Sequence, residues 1–233
     1  MKSQNITTVE TPLDKRWYED ACATALALEF VGERWALLII RELMLGPRRF
    51  SDLRAALTGI SANILSMRLD RMERLGIVQR EQLDTPFNVQ AYALTPWGQE
   101  AEPIFQAMGR WALRSPLHDP LLPLTPVSAV LSLRTLLKPD RPDVRVTVNL
   151  RFGADAFIGC LSPEGLALAR GQREDADVSI ETDTTRFVRV MYGKQPVELA
   201  EREGQLNVRG DRELFQRFIA CFSLPEKYAS PRT

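Results

Sequence analysis

Gly46-Pro-Arg-Arg-Phe-Ser-Asp-Leu53, followed by Gly59-Ile-Ser-Ala-Asn-Ile-Leu-Ser-Met-Arg-Leu-Asp-Arg-Met-Glu-Arg-Leu-Gly-Ile-Val78, decides the fold of the first half of this chain. The stretch predicts a short helix, a tight turn and an amphipathic helix. Ser61 is a natural N-cap, because its hydroxyl accepts from an orphan amide of the first turn. Gly76 stands one residue past the last apolar position, where a left-handed residue closes a helix. At 3.6 residues per turn, Leu65, Leu69, Met72 and Leu75 form one narrow stripe. Asn63, Ser66, Met67, Asp70 and Arg74 fall opposite, with Ile64 and Arg71 at the flank. In a helix-turn-helix the N-terminal residues of the second helix read base edges in the major groove. Asn63 suits adenine, Ser66 serves either polar role, and Met67 offers apolar contact to a thymine methyl. Asp70 repels phosphate, so the DNA is expected to pass before that turn. An ordinary solvated helix face is the competing reading of the same residues.

The neighbouring charge favours nucleic acid. Between Arg34 and Arg80 stand nine arginines, no lysine and four carboxylates, a local excess of five in a chain whose 30 basic and 30 acidic residues cancel. A basic patch on a neutral protein is the footprint of a phosphate binder, and guanidinium forks match phosphate oxygens. Arg48 and Arg49 precede a helix whose Phe50, Leu53 and Leu57 turn inward, a placement for backbone contacts that position a protein on DNA without reading sequence.

After Val78, alternation in Val89, Ala91 and Ala93 and in Tyr92 and Leu94 predicts strands, with Asp84-Thr-Pro-Phe-Asn88 as the turn between them. Such a hairpin is either a wing, touching DNA through Arg80 and Asn88, or a plain surface hairpin. Thr95-Pro96 then opens a helix running to about Leu113, with Ile104, Phe105, Met108, Trp111 and Ala112 on its apolar side.

From about Cys22 to Trp111 the chain resembles the HxlR family of winged-helix transcriptional regulators. The pieces that carry this are Cys22 ahead of Ala25-Leu26, Gly32-Glu-Arg-Trp-Ala-Leu-Leu-Ile-Ile-Arg-Glu-Leu43, and Gly46-Pro-Arg-Arg-Phe-Ser-Asp-Leu53. Gly59-Ile-Ser61, Leu65-Ser-Met-Arg-Leu69, Leu75-Gly-Ile-Val78 and Tyr92-Ala-Leu-Thr-Pro-Trp-Gly98 continue the pattern. The resemblance implies a homodimer joined through the terminal helices, on double-stranded DNA. The DNA-contact candidates are Arg48, Arg49, Ser61, Asn63, Ser66, Met67, Arg68, Arg71, Arg80 and Asn88. In some members a cysteine at the position of Cys22 senses oxidants. Here Glu19 and Asp20 precede it and Ala21, Ala23, Ala25 and Leu26 surround it, which predicts a buried, inert thiol. The family's usual length ends soon after Trp111, so the second half needs its own account.

Four prolines within Ser115–Pro126 predict an extended connector. The chain therefore divides into a tail over 1–16, a winged-helix domain over 17–114, the connector over 115–126, a second domain over 127–225 and a tail over 226–233. In that second domain Val144, Val146, Val148, Leu150 and Phe152 alternate as a half-buried strand. Ala156–Leu161 and Leu166–Arg170 flank a Ser-Pro-Glu-Gly hairpin turn, and Ala176–Asp183 alternates again. A helix with Phe187, Val188, Met191 and Tyr192 follows, then a short strand Gln205–Arg209, then a helix starting at Gly210-Asp211. A mainly antiparallel sheet with helices on one side makes the fold class α+β.

This half resembles the sterol-carrier-protein domain, on Ala176-Asp-Val-Ser-Ile-Glu-Thr-Asp183, Phe187-Val-Arg-Val-Met-Tyr-Gly193 and Gly204-Gln-Leu-Asn-Val-Arg-Gly-Asp211. The resemblance implies a fatty-acyl, sterol-like or other apolar small molecule, with Phe152, Phe157, Phe187, Met191, Phe215, Phe218 and Phe222 as candidate tunnel residues. The same side chains equally suit a plain core, and the domain could instead extend the dimer. The lone His118 lies in the connector, no His/Cys/Asp cluster has metal-ligand spacing, and no glycine-rich phosphate loop follows a strand, so neither catalysis, a metal nor a cofactor is expected. Three scattered cysteines, no signal peptide and no apolar run of the ~18 residues a span needs predict a cytoplasmic protein off the membrane. The expected function is a DNA-binding regulator controlled by a hydrophobic effector. The alternative is a lipid carrier that uses the winged helix as a dimerisation scaffold.

Overall fold

A computed structural model describes residues 18–83, 89–120 and 122–229. The chain clusters into two compact units, the first built from 1–43 with 47–100 and the second from 44–46 with 101–233.

The first unit contains α1 (Ala23–Val31), α2 (Ala36–Leu43), α3 (Phe50–Ala56), α4 (Ala62–Arg74), β1 (Val78–Gln82), β2 (Gln90–Leu94) and α5 (Pro96–Gln99). Its core is the stripe Leu65, Leu69 and Met72 of α4 together with Ile39, Ile40 and Leu43 of α2 and Leu53 of α3, all buried. The ends of α4 follow from its sequence. The Ser61 hydroxyl accepts from the Ile64 amide at 3.2 Å. At the other end Gly76 adopts φ +72°. Its amide donates to Glu73 O at 3.0 Å and that of Ile77 to Met72 O at 2.9 Å, the paired bonds of a Schellman stop. β1 and β2 pair antiparallel with Val78 opposite Leu94 and Gln82 opposite Gln90. The expected turn at Asp84–Asn88 lies outside the described residues. Arg48 bridges Tyr92 in both directions, at 2.9 and 2.8 Å, so α3 begins against the wing.

Thr95 caps α5, accepting from the Gly98 amide at 3.0 Å. The single helix expected from Pro96 to Leu113 is instead two: α5, then α6 (Glu102–Leu113), which clusters with the second unit. Pro103 supplies the reason. It lacks an amide and its ring collides with the carbonyl four residues earlier, whereas the first turn of a new helix tolerates it.

The second unit continues with α7 (Pro126–Leu136), β3 (Val146–Phe152), β4 (Asp155–Ser162), β5 (Gly165–Arg170) and β6 (Val178–Thr182). It closes with α8 (Thr184–Met191), α9 (Val197–Arg202), β7 (Leu206–Gly210) and α10 (Arg212–Ala220). The sheet order is β5-β4-β3-β6-β7. β3 and β6 run parallel and every other pair antiparallel, so the sheet is mixed. Val146, Val148, Leu150, Phe152, Phe157, Leu161, Val178, Ile180, Leu206 and Val208 all face one buried layer with α7, α8 and α10. Asn149, on the other face, holds the loop that crosses the sheet: its amide nitrogen donates to Arg173 O at 2.8 Å and its oxygen accepts from Arg173 N at 3.0 Å. Asp183 and Asp211 cap α8 and α10, each accepting from an amide three residues on at 2.9 Å.

Two features depart from the sequence-based expectation. α7 lies where only an undefined stretch was expected, although Thr125-Pro126 repeats the start of α5 and the Thr125 hydroxyl accepts from Ser128 N at 3.0 Å. Residues 226–228, expected as a tail, run beside the end of α6: Tyr228 N donates to Arg114 O at 2.7 Å and Lys227 Nζ to Ser115 O at 3.0 Å. They satisfy carbonyls that a helix C-terminus leaves without partners. No helix among the described residues is long and apolar enough to cross a membrane.

Phe157 is fully buried, so Phe157→Ala should lower the unfolding free energy of the second unit by about 3–5 kcal/mol in urea titrations. Ala169→Ser, at an exposed position on the opposite sheet face, should change it by less than about 0.5 kcal/mol.

Candidate nucleic-acid interface

With Leu65, Leu69 and Met72 buried, helical geometry turns Ser61, Asn63, Ser66, Met67 and Asp70 to solvent, and all five are exposed. Met67 is 53 % exposed in the midst of polar neighbours. The N-terminus of α4 presents its unpaired amides beside this group, a favourable place for phosphate. Arg49, at the start of α3, is exposed too. Of the ten candidate contacts, five (Arg49, Ser61, Asn63, Ser66 and Met67) therefore lie open on the helix-turn-helix.

The others do not. Arg48 Nη1 donates to Glu42 Oε2 at 2.7 Å, and the fully buried Glu42 also takes Arg41 Nε at 3.2 Å and Nη2 at 2.9 Å. Arg48 is thus a structural counter-charge, because a buried carboxylate without cations is strongly destabilising. Arg68 pairs with Glu33 Oε2 at 2.5 Å and donates to Arg34 O at 3.2 Å. Arg71 donates to Glu29 O at 3.0 Å. Both side chains fold back on the segment from α1 to α2. Arg68 stands only about 60° from Leu65 on the helical wheel, a signal that the sequence carried. Arg80 is exposed but neutralised by Asp70 at 3.3 Å and Glu73 at 3.0 Å, with its guanidinium 5.7 Å from the Tyr92 ring. Asn88 lies outside the described residues.

The local excess of positive charge is accordingly less available than a count suggests. Arg54 of α3 is exposed and, among the described residues, forms no ion pair; it joins Arg49 as an open cation. Sequence periodicity did not single it out.

Cys22 corrects another expectation. It is exposed, not buried. It precedes the first turn of α1, where the amides of Ala25 and Thr24 favour the thiolate and hold the thiol below its ordinary range. Cys221 is the reverse case, a buried thiol pushed up by desolvation. His118 is exposed in the connector, and no cluster of three metal-ligating side chains occurs among the described residues.

In the second unit the seven candidate tunnel residues, Phe152, Phe157, Phe187, Met191, Phe215, Phe218 and Phe222, are all buried. Phe152 contacts both Phe157 and Phe187, and Phe218 contacts Phe222. Phe152 meets Phe187 edge-on at 5.2 Å between centroids, and Phe218 meets Phe222 at 4.8 Å. The structure brings them together as a packed layer between sheet and helices. An open hollow of about 560 Å³ lies instead on the opposite, polar sheet face, lined by Asn149, Arg151, Gln172, Ser179, Asn207 and Arg209 among others.

A capped reading helix, its partner α3 and a β-hairpin define a winged helix-turn-helix protein. The family model for the HxlR-like helix-turn-helix matches residues 30–117. YvaP of Bacillus subtilis, an HTH-type transcriptional regulator, is 37% identical over 87 residues, which cover 37% of this chain and 80% of YvaP. YodB of the same organism, also an HTH-type transcriptional regulator, is 40% identical over 87 residues, covering 37% of this chain and 77% of YodB. A solved structure of reduced YodB is 35% identical, with 40% of this chain and 92% of that chain covered, at a TM-score of 0.37. The chain belongs to the HxlR-like helix-turn-helix family.

Alkylation with limiting iodoacetamide should label Cys22 first and Cys221 last, as mass spectrometry of the digest would show. On DNA, Arg49→Ala should weaken binding uniformly across sequences and reduce the salt slope by about 1. Arg48→Ala should instead lower the melting temperature while leaving that slope unchanged.

Proposed function

We propose that this chain is a sequence-specific DNA-binding transcriptional regulator. It acts as a homodimer, by binding and not by catalysis, under the control of a small molecule held in its second unit. The observation that carries the DNA reading is the open face of α4, where Asn63, Ser66 and Met67 offer a bidentate amide, a hydroxyl and an apolar tip beside a capped N-terminus. Relatives named as transcriptional regulators support it.

The dimer rests on α6. Ile104, Met108 and Trp111 fall on one side of that helix and are exposed, Trp111 to 77 %. An apolar stripe of this kind at helical spacing suits a second copy of the same helix. For the effector, the sterol-carrier-like pattern on β6, α8 and β7 supports a fatty-acyl or sterol-like molecule seated between the sheet and its helices. Such a ligand has to part the Phe152 and Phe187 packing, so it must bind a more open state more tightly than the closed one.

Fluorescence anisotropy with the DNA upstream of the chain's own gene tests the proposal. A preference of ~10³-fold or more over a scrambled duplex is expected at near-physiological salt, with affinity falling steeply as salt rises. Trp111→Asp should yield a monomer in sedimentation and lose that preference. Palmitate or cholesterol should shift operator affinity by about tenfold. Tight lipid binding with equal, weak affinity for both duplexes would establish the carrier instead.

A further inference from the structure

α6 has two chemically distinct sides. Opposite Ile104, Met108 and Trp111 stand Glu102, Gln106 and Gly109, and this side meets α7, with a Cβ at Gly109 coming to 3.7 Å from Thr135 Cγ2. The Glu102 carboxylate accepts from Arg134 Nη1 at 2.8 Å on each oxygen and from Gln106 Nε2 at 2.8 Å. The rest of the Arg134 guanidinium points elsewhere: Nε donates to Leu166 O at 3.2 Å and Nη2 to Leu168 O at 3.2 Å. Both carbonyls belong to β5, an edge strand of the sheet. One planar fork on α7 therefore holds a carboxylate of α6 and two main-chain carbonyls of the sheet edge at once.

We infer that Arg134 is a positioning residue that ties α6 to the β5 edge, so that a change in the sheet is passed to the helix through which the chain pairs. The inference rests on the homodimer reading above. Lysine cannot do the same, because an ammonium is a point charge and lacks the fixed fork that reaches three acceptors on two elements. The pair is mostly sheltered, with Arg134 and Glu102 side chains 23 % and 19 % exposed. Losing either partner leaves the other charge poorly solvated, which makes the two positions of α6, tied and released, distinct in free energy. A displacement of β5 or α7 moves the carbonyls and the guanidinium together. Glu102 sits in the first turn of α6, so the helix carrying Trp111 has to follow.

The test uses the full chain with Arg134→Gln, Arg134→Lys, Glu102→Gln and the double variant E102Q/R134Q. Hydrogen exchange followed by mass spectrometry reports the tie, and anisotropy on the upstream DNA reports its consequence. In both single Gln variants the amides of α6 should exchange about tenfold faster while those of β3 stay unchanged, and operator affinity should fall by about tenfold. Arg134→Lys should behave like Arg134→Gln, and the double variant should be no weaker than either single one. Unchanged α6 exchange in both Gln variants overturns the inference; so does faster exchange with unaltered operator affinity. If the wild-type protein shows no operator preference, the regulator proposal fails on its own. The dimer dissociation constant then decides this one, and it must rise about tenfold in Arg134→Gln.

Discussion

Burial of Leu65, Leu69 and Met72 is the constraint from which the rest of the first unit follows. A helix has one rotational freedom about its axis, and three fully buried side chains remove it. Once they are seated, Asn63, Ser66 and Met67 have no choice of direction. The Ser61 cap and the Gly76 stop fix where the helix begins and ends, so the amides at its start and the hairpin after it are placed as well. The reading surface is thus a consequence of core packing. A polar substitution at Leu69 would disturb this exposed face without lying on it.

Electrostatics add a second layer that a charge count hides. Glu42 draws Arg41 and Arg48 inward, Glu33 takes Arg68, and Asp70 with Glu73 takes Arg80. Arg41, Arg48 and Arg68 are engaged within the first unit, whereas the exposed Arg80 pairs add little to its stability. In particular, Glu42 anchors the same Arg48 whose main chain pairs with Tyr92 of the wing. Arg49 and Arg54 are left facing water, the kind of open guanidinium that a phosphate backbone can engage. Fewer phosphate contacts mean a shallower salt dependence than nine arginines would suggest.

What was legible in the sequence had a period or a cap. α4 showed both, and its stripe, cap and stop stand where the spacing put them. β3 and β6 of the second unit showed period two and are strands. α7 hid because Val127, Ala129, Val130, Leu131, Leu133 and Leu136 bury it on nearly every side, and a helix apolar all round has no amphipathic period. The break between α5 and α6 was legible in Pro103, whose meaning the apolar run around it obscured. Arg48 and Cys22 were illegible for a different reason. Their roles depend on Glu42, folded against one, and on the helix amides that face the other, and neither is a property of composition.

The family match ends at residue 117 and so includes α6, yet α6 clusters with the second unit. The helix that closes the DNA-binding module by sequence is therefore the first element of the sheet unit by packing, held there by Arg134 and Gly109. A domain appended through a slack connector could bind a ligand without consequence for the reading helices. A domain that includes α6 differs, because on the homodimer proposal any state it favours is also a state of the pairing helix. Pro116, Pro120 and Pro123 follow α6, whereas the two compact units divide earlier, at Glu100 and Ala101. On the proposed function, an effector acts through α6 only if it binds two arrangements of this unit with different affinity.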